Sequence, residues 1–442
     1  MRPSELAAAT PESRDRYADL LRAGSLGTVV LGHWLMAAVS QDAAGHVRVG
    51  NLLALQPRLQ VLTWFLQVMP VFFYVGGFVH ARSCRSARRR GPGSYPVFLR
   101  ARLRRLLRPT ALFTAVWGAV ALAVQLAGAD GGLLDIALRL VAQPLWFVGI
   151  YLAMAALTPP LLRLHERWGW GAFAALVAAA AAVDVLRFGL RVPGVEFLNF
   201  ALVWLAVHQL GFLRADGMIR RPALLAGAGL TGAVLLVAYG PYPLSMVGMP
   251  GEKISNMAPP TLALLCHGLW LVGAVELLRG PLTRLLRRPR VWRAVVTAGG
   301  VSMTAFLWHL TAMLGVYGAL LAAGVRIPDP GSAGWWLQVP LRIAAAAALT
   351  ALLVALFRTF EKPSGVWESG APRAWAGPAA ALGATLSLLG VLALSMVGFG
   401  GLLEGRTALL MAVHVTAPAA LAMTFTGWLL VDRAGRDRNR TG

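Results

Sequence analysis

Apolar segments of nearly membrane-spanning length alternate with short polar stretches along the whole chain. A hydrocarbon core about 30 Å thick requires roughly 20 residues of helix, and about twelve segments approach this length. Their approximate limits are residues 20–40, 60–81, 108–128, 143–162, 170–187, 196–213, 221–240, 259–279, 294–322, 334–357, 376–400 and 405–431. Proline pairs such as Pro159-Pro160 are expected at helix ends. The pattern predicts an all-α fold, a polytopic transmembrane bundle of about 12 helices.

The composition excludes a soluble domain. Hydrophobic residues make up 57% of the 442 residues and charged residues 14%, whereas about 25% is usual in soluble domains. The net charge of +22 would suit a nucleic-acid binder, but the arginines punctuate the apolar segments instead of forming one patch. The expected partner is therefore the lipid bilayer, with no nucleic acid. Cys84 and Cys266 are too few and too differently placed for a disulfide framework.

The arginines are concentrated in alternate loops, and positively charged loops stay cytoplasmic. The richest loop contains Arg82, Arg85, Arg88, Arg89, Arg90, Arg100, Arg102, Arg104, Arg105 and Arg108. This distribution predicts that both termini are cytoplasmic. The predicted parts are a cytoplasmic segment (1–19), a membrane core of about ten helices (20–363), a cytoplasmic linker (364–375), two additional transmembrane helices (376–431) and a basic cytoplasmic tail (432–442).

Arg22 and His33 are the most informative ionisable pair, because ionisable residues inside membrane segments are costly and often functional. Eleven helical residues turn through about 1100° and rise about 16 Å, so the two side chains share one helix face. The arginine is placed to anchor an anion at the cytoplasmic interface, and the neutral histidine to accept a proton deeper in the membrane. An interfacial arginine and a histidine bonded to a neighbouring helix would give the same pattern.

The chain resembles the acyltransferase-3 family of integral membrane acyltransferases over about residues 17–363. The most specific element is the Arg-x10-His pattern of the first helix, matched by Arg22 and His33. Further blocks follow in the family's order: MPVFFYVGGF (69–78), RARLRRLLRP (100–109), PLWFVGIYL (144–152), SNMAPPTLAL (255–264), VSMTAFLWHL (301–310) and FEKP (360–363). Two departures are Gly76, where Ser is usual, and the absence of the tyrosines that commonly precede the histidine of the ninth helix.

The resemblance implies transfer of an acyl group, expected to be acetyl, from acyl-CoA in the cytoplasm to a hydroxyl of a cell-surface glycan, a lipid or a small metabolite. It implies a multi-pass protein of the plasma membrane, expected to be a bacterial cytoplasmic membrane, with no bound cofactor and no metal site. The residues expected to act are His33 and His309 as catalytic groups, Arg22, Arg100, Arg104 and Arg105 as acyl-CoA ligands, and Glu361, Trp146 and Asn256 as supporting residues. Arginine suits the donor because CoA carries three phosphates, although membrane topology and anionic lipids also favour a basic loop.

Other intramembrane polar residues have simpler interpretations. Asp184 and Glu276 are expected to pair with Arg187 and Arg279 on the following turn, and Glu361 has an alternative as an interfacial salt bridge with Arg358 or Lys362. His208, His267 and His414 are expected to make packing hydrogen bonds.

Two other function classes fit the pattern. Multi-helix carriers also have both ends inside and scattered intramembrane polar groups, although no second half that echoes the first is visible. A membrane scaffold that has lost its chemistry is the third alternative, against which the presence of both Arg22 and His33 argues.

Overall fold

The computed structural model of the protein describes residues 11, 14–42, 45–89, 91, 94–128, 132–249, 251–361, 375–410 and 413–434. The chain is mostly helical (77%), as the sequence predicts. The helices are α1 (Arg16–Met36), α2 (Leu52–Leu55), α3 (Thr63–Leu66), α4 (Met69–Arg88), α5 (Ser94–Leu126), α6 (Gly132–Leu140), α7 (Leu145–Trp168), α8 (Trp170–Asp184), α9 (Asn199–Ala215), α10 (Pro222–Tyr239), α11 (Leu262–Leu277), α12 (Arg279–Leu285), α13 (Pro289–Ala322), α14 (Ala333–Phe357), α15 (Ala376–Val397) and α16 (Ala417–Ala434).

Within the described part of the chain, nine helical stretches are long and apolar enough to cross a membrane, or ten if the bent pair α11 and α12 forms one span. These ten correspond to ten of the predicted segments. The first and last segments correspond to α1 and α16, which do not meet the criterion. In α1, the polar residues Arg16, Asp19, Arg22 and His33 lower the hydropathy.

Two short antiparallel hairpins, which the sequence pattern does not predict, interrupt the mostly helical fold. Strand β1 (Ala37–Gln41) pairs with β2 (Val47–Asn51), and β3 (Thr407–Leu410) pairs with β4 (Val413–Thr416). The first shortens the predicted segment 20–40, and the second replaces the first half of the predicted segment 405–431.

Pro159 and Pro160 were expected at a helix end but lie inside α7. A membrane offers the backbone no water as an alternative hydrogen-bond partner, so helices tolerate internal proline there. Residues 364–374 of the predicted linker 364–375 lie outside the described residues, as do the tail beyond residue 434, Lys362 and most of the predicted segment 1–19.

The described residues form two compact units. The first contains residues 1–81, 161–302 and 319–344, and the second contains residues 82–160, 303–318 and 345–442. In the first unit, α4 and α9 cross at Gly77 and Gly211. A Cβ atom at Gly77 would lie 1.9 Å from the His208 carbonyl oxygen, and one at Gly211 would lie 2.2 Å from the Tyr74 carbonyl oxygen. Only glycine permits this crossing, which explains the glycine at 77 in the MPVFFYVGGF block.

Ion pairs at one end of the first unit join the ends of three helices. At one end, Asp15 before α1 lies 2.9 Å from Arg214 near the end of α9, and Arg214 lies 3.5 Å from Glu276 near the end of α11. The sequence places all three on the cytoplasmic side. Helix ends that were predicted to share a side therefore do meet.

The opposite end of this unit is held by Asp184. Its carboxylate accepts hydrogen bonds from Asn199 Nδ2 (2.9 Å), Tyr242 Oη (3.0 Å) and the Leu262 N–H (2.7 Å). These bonds join α8, α9, α11 and the loop after α10, instead of a salt bridge to Arg187 on the following turn. Burial and the neighbouring carboxylate raise the pKa of Tyr242, so this phenol stays a hydrogen-bond donor.

In the second unit, α15 and α16 pack through small residues. A Cβ at Gly390 would lie 2.4 Å from Thr424 Oγ1, and one at Gly427 would lie 2.4 Å from the Ser387 backbone nitrogen. The pair also contacts α5, where a Cβ at Gly118 would lie 3.7 Å from Leu421 Cδ1. The two helices beyond the predicted ten-helix core are thus an integral part of the unit.

Candidate functional site

Helix α1 carries Arg22 and His33 without a break, so the shared face predicted from their spacing follows from the observed helix. Asp15 caps the helix by accepting the Ala18 N–H at 2.9 Å. The helix ends three residues after His33, where the Ala37 N–H donates to the His33 carbonyl and the chain enters β1. His33 is half-buried, in the last turn.

Arg22 lies beside a glycine of α13. Its Nη2 would be 3.6 Å from a Cβ atom at Gly299, and it lies 3.7 Å from Asp19 Oδ1. The Nε atom is buried and has no hydrogen-bond partner among the described residues. Because 30% of the side chain is exposed, the guanidinium keeps donor capacity for an anion that enters from outside.

His309 is fully buried on α13, in the second unit. Its Nδ1 contacts the Phe306 carbonyl oxygen, and a carbonyl only accepts hydrogen bonds, so Nδ1 carries the proton. The other ring nitrogen, Nε2, is then the basic one. The Phe306 ring, which packs 4.7 Å from the Phe147 ring, shields one side of the imidazole.

Glu361 is 6% exposed and inserts its carboxylate into the backbone of α13. It accepts the Met303 N–H at 3.0 Å, the Thr304 N–H at 2.8 Å and the Thr304 hydroxyl at 2.5 Å. Helical N–H groups normally donate to the carbonyl four residues earlier. Here the Met303 and Thr304 N–H groups donate to a side-chain carboxylate, which attaches Glu361 directly to the backbone of α13. These three bonds, and not a salt bridge to Arg358, define its surroundings.

The basic run at the start of α5 divides into different environments. Arg100 Nε and Arg104 Nε lie 3.7 and 3.5 Å from the same oxygen of Asp432 on α16. Arg102 donates to Ser83 Oγ on α4, and Arg105 is exposed. The structure thus brings Arg100 and Arg104 together on one face and leaves Arg105 outside that contact.

Asn256 anchors the loop that follows α10, in the first unit. It donates to the carbonyl oxygens of Pro243 (2.7 Å) and Ser245 (2.9 Å) and accepts from Thr261 Oγ1 (2.8 Å). These bonds make Asn256 a structural residue of the loop. Trp146 is half-buried at the start of α7 and makes an edge contact with Phe147, 6.4 Å between ring centres.

The comparison with protein families decides the class of protein. The sequence profile described as an acyltransferase domain matches residues 15–359 of the chain. The chain belongs to the acyltransferase-3 family. Membership implies acyltransferase activity in a multi-pass membrane protein. Neither the curated proteins nor the solved structures give a significant match.

The acyltransferase-3 match includes α1, the basic start of α5 and His309, and it ends two residues before Glu361. Helices α15 and α16 lie beyond it, so Asp432 comes from outside the family domain. Among the described residues, no group of three or more His, Cys, Asp or Glu side chains has the arrangement of a metal site.

The sequence pattern does not predict Arg214 and Asp432, two residues that form ion pairs between helices. Arg214 pairs with Asp15 and Glu276 and lies 4.3 Å from the Phe78 ring centre. Asp432 faces Arg100 and Arg104. An available signal for Asp432 was its position in the last turn of a helix, where the helix dipole disfavours a negative charge unless cations lie nearby.

Proposed function

We propose that the protein transfers an acyl group, expected to be acetyl, from cytoplasmic acyl-CoA to a hydroxyl of a cell-surface glycan, a lipid or a small metabolite. The membrane is expected to be the bacterial cytoplasmic membrane. The observation that carries the proposal is the family match across a domain whose first helix keeps Arg22 and His33 on one face.

His33 is the proposed general base. It removes the proton from the acceptor hydroxyl as the oxygen attacks the thioester carbonyl, the carbonyl–sulfur bond breaks, and the CoA sulfur leaves as a thiolate that takes up a proton. A second route has the imidazole form the acyl bond first and pass the group to the hydroxyl. Both routes need a site that excludes water, because water would hydrolyse the thioester.

Arg22, Arg100, Arg104 and Arg105 are the proposed phosphate ligands of the donor. Guanidinium groups bind phosphate through paired, charge-assisted hydrogen bonds. The buried Nε atom and exposed part of Arg22 support its role. The full burial of His309 on α13, with Nδ1 against the Phe306 carbonyl oxygen, supports its proposed role as a second catalytic imidazole.

The test uses purified protein in lipid nanodiscs with radiolabelled acetyl-CoA and extracted envelope material as acceptor. We expect His33→Ala to lower the transfer rate about 10²- to 10⁴-fold, the usual contribution of general acid–base catalysis. His46→Ala is the matched control, because the His46 side chain is 78% exposed in the loop between β1 and β2. A folded His33→Ala protein with wild-type activity would refute the assignment, and label retained on the protein without acceptor would identify the covalent route.

A further inference from the structure

Asp432 occupies a position that the family domain does not supply. It lies on α16, beyond the matched residues 15–359. Its carboxylate oxygen Oδ1 is 3.7 Å from Arg100 Nε and 3.5 Å from Arg104 Nε. The three side chains are only 11%, 24% and 13% exposed for Arg100, Arg104 and Asp432. One carboxylate oxygen therefore lies within ion-pair distance of both guanidinium groups in a sparsely hydrated setting.

The position of this carboxylate is fixed by helix packing. Leu421 of α16 contacts α5 at Gly118, and Asp432 contacts α5 at Arg104. Along this contact the residue numbers rise from 421 to 432 in α16 and fall from 118 to 104 in α5, so the two helices are antiparallel. The close approach of Gly390 and Gly427 to the facing helix locks α16 to α15. This packing places the backbone of Asp432 beside the two arginines.

The local charges explain why an acid is found there. Arg100 and Arg104 are four residues apart on one helix face, where like charges repel. A negative charge in the last turn of α16 is unfavourable by itself, because the unpaired carbonyls there are already negative. Each unfavourable feature is relieved by the other. Asp432 offsets one of the two positive charges, and the 24% exposure of the Arg104 side chain leaves it within reach of an anion.

We infer that Asp432 is a built-in counter-anion of the donor site, which sets how tightly the protein holds the phosphates of acyl-CoA. The inference rests on the proposed function, because it takes Arg100 and Arg104 as phosphate ligands. Carboxylate and phosphate bind guanidinium through the same kind of paired hydrogen bond. Asp432 holds the arginines in the absence of donor and weakens the attraction for the donor by one unit of charge.

The experiment measures binding of CoA to the full-length protein in nanodiscs by calorimetry at two salt concentrations. Removing one negative charge close to the bound phosphates tightens binding, and for partly screened charges we expect about a tenfold lower Kd in Asp432→Asn. The gain should shrink at high salt. Asp432→Ser is a second variant without the charge, in case the amide does not fit.

The matched control is Asp135→Asn in the same unit. Asp135 pairs with Arg406 at 2.7 Å, on the side predicted to be extracytoplasmic. The Asp135→Asn change removes the same charge from an ion pair that does not include α5, so the Kd for CoA should be unchanged.

The outcomes separate the inference from the proposed function. If wild-type protein binds no CoA, the proposed donor is wrong and the inference falls with it. If wild type binds CoA and both Asp432 variants bind it equally or more weakly, the counter-anion role alone is overturned.

Discussion

The two units each hold a cluster of arginine and carboxylate groups at helix ends, and the clusters differ in charge balance. In the first unit, Arg214 is 2% exposed and faces two carboxylates, Asp15 and Glu276. In the second, Arg100 and Arg104 face the single carboxylate of Asp432 and keep some exposure. In the first cluster one nearly fully buried arginine is opposed by two acidic side chains of the same chain. The second pairs two arginines with one acidic side chain at ion-pair distance and is more exposed than Arg214, which suits contact with an external anion.

The comparison teaches that a buried arginine is not a ligand site merely because it is charged. Arg214 has aromatic neighbours in addition to its acids, with the Phe78 ring 4.3 Å away and the Tyr74 hydroxyl bonded to the same Glu276 at 2.7 Å. Such a network joins α1, α4, α9 and α11, and it supports the helix that carries Arg22 and His33. Its expected contribution is to folding, and that of the second cluster is to binding.

The largest effect is expected for Arg214→Met. Removing the cation takes the buried partner away from two largely buried carboxylates, which typically costs about 3–5 kcal/mol. The loss should appear as a lower unfolding midpoint in detergent. Arg279→Met is the matched control, because Arg279 contacts the same Glu276 at 3.7 Å but is 51% exposed, and such pairs contribute under about 1 kcal/mol. Equal losses in the two variants would contradict the proposed difference.

The second effect concerns donor affinity. In an Asp432→Asn background, Arg100→Gln with Arg104→Gln leaves no uncompensated carboxylate, so folding should be nearly unaffected. Loss of two charge-assisted phosphate contacts should raise the Kd for CoA roughly 30- to 100-fold. Arg293→Gln removes an exposed arginine of α13 from another basic loop and should leave the Kd unchanged. An equal weakening by Arg293→Gln would show that the basic loops act only as a general positive surface.

The smallest effect is expected for Glu361→Gln. This change tests whether a buried carboxylate of the second unit stabilises the fold, as Asp15 and Glu276 are expected to do in the first. An amide accepts through only one of its two ends, so at least one of the N–H groups of Met303 and Thr304 loses its acceptor. The cost should be about 1–2 kcal/mol in unfolding free energy. Arg358→Gln tests the alternative salt bridge, and a larger loss for Arg358→Gln than for Glu361→Gln would favour that alternative.

Much of the fold follows from local patterns. Ten predicted segments correspond to the spans that the structure contains, because length and apolarity are properties of each segment alone. The two that differ lie at the hairpins: residues 407–410 and 413–416 are apolar enough for a helix but pair as β3 and β4. Likewise, Pro159 and Pro160 are turn signals in water and lie within α7 here.

The part of the candidate site that lies on a single helix was predictable from the sequence. The spacing of Arg22 and His33 places them on one face of α1 without reference to any other element. The surroundings of Asn256 were not predictable, because its loop bonds depend on how residues 243, 245 and 261 converge. The roles of the site residues stay predictions until the activity is measured.

The sequence by itself determined that this chain is built from apolar helices of membrane-spanning length. It also determined the alternation of basic loops and the common face of Arg22 and His33. Hydropathy and helical periodicity carry that information within some twenty residues. Only the tertiary structure decided which acidic side chain lies beside each arginine and how deeply each pair is buried. Pairings such as Arg214 with Asp15 or Arg104 with Asp432 join distant parts of the chain, and an ion pair depends on distance and burial, which only helix packing sets.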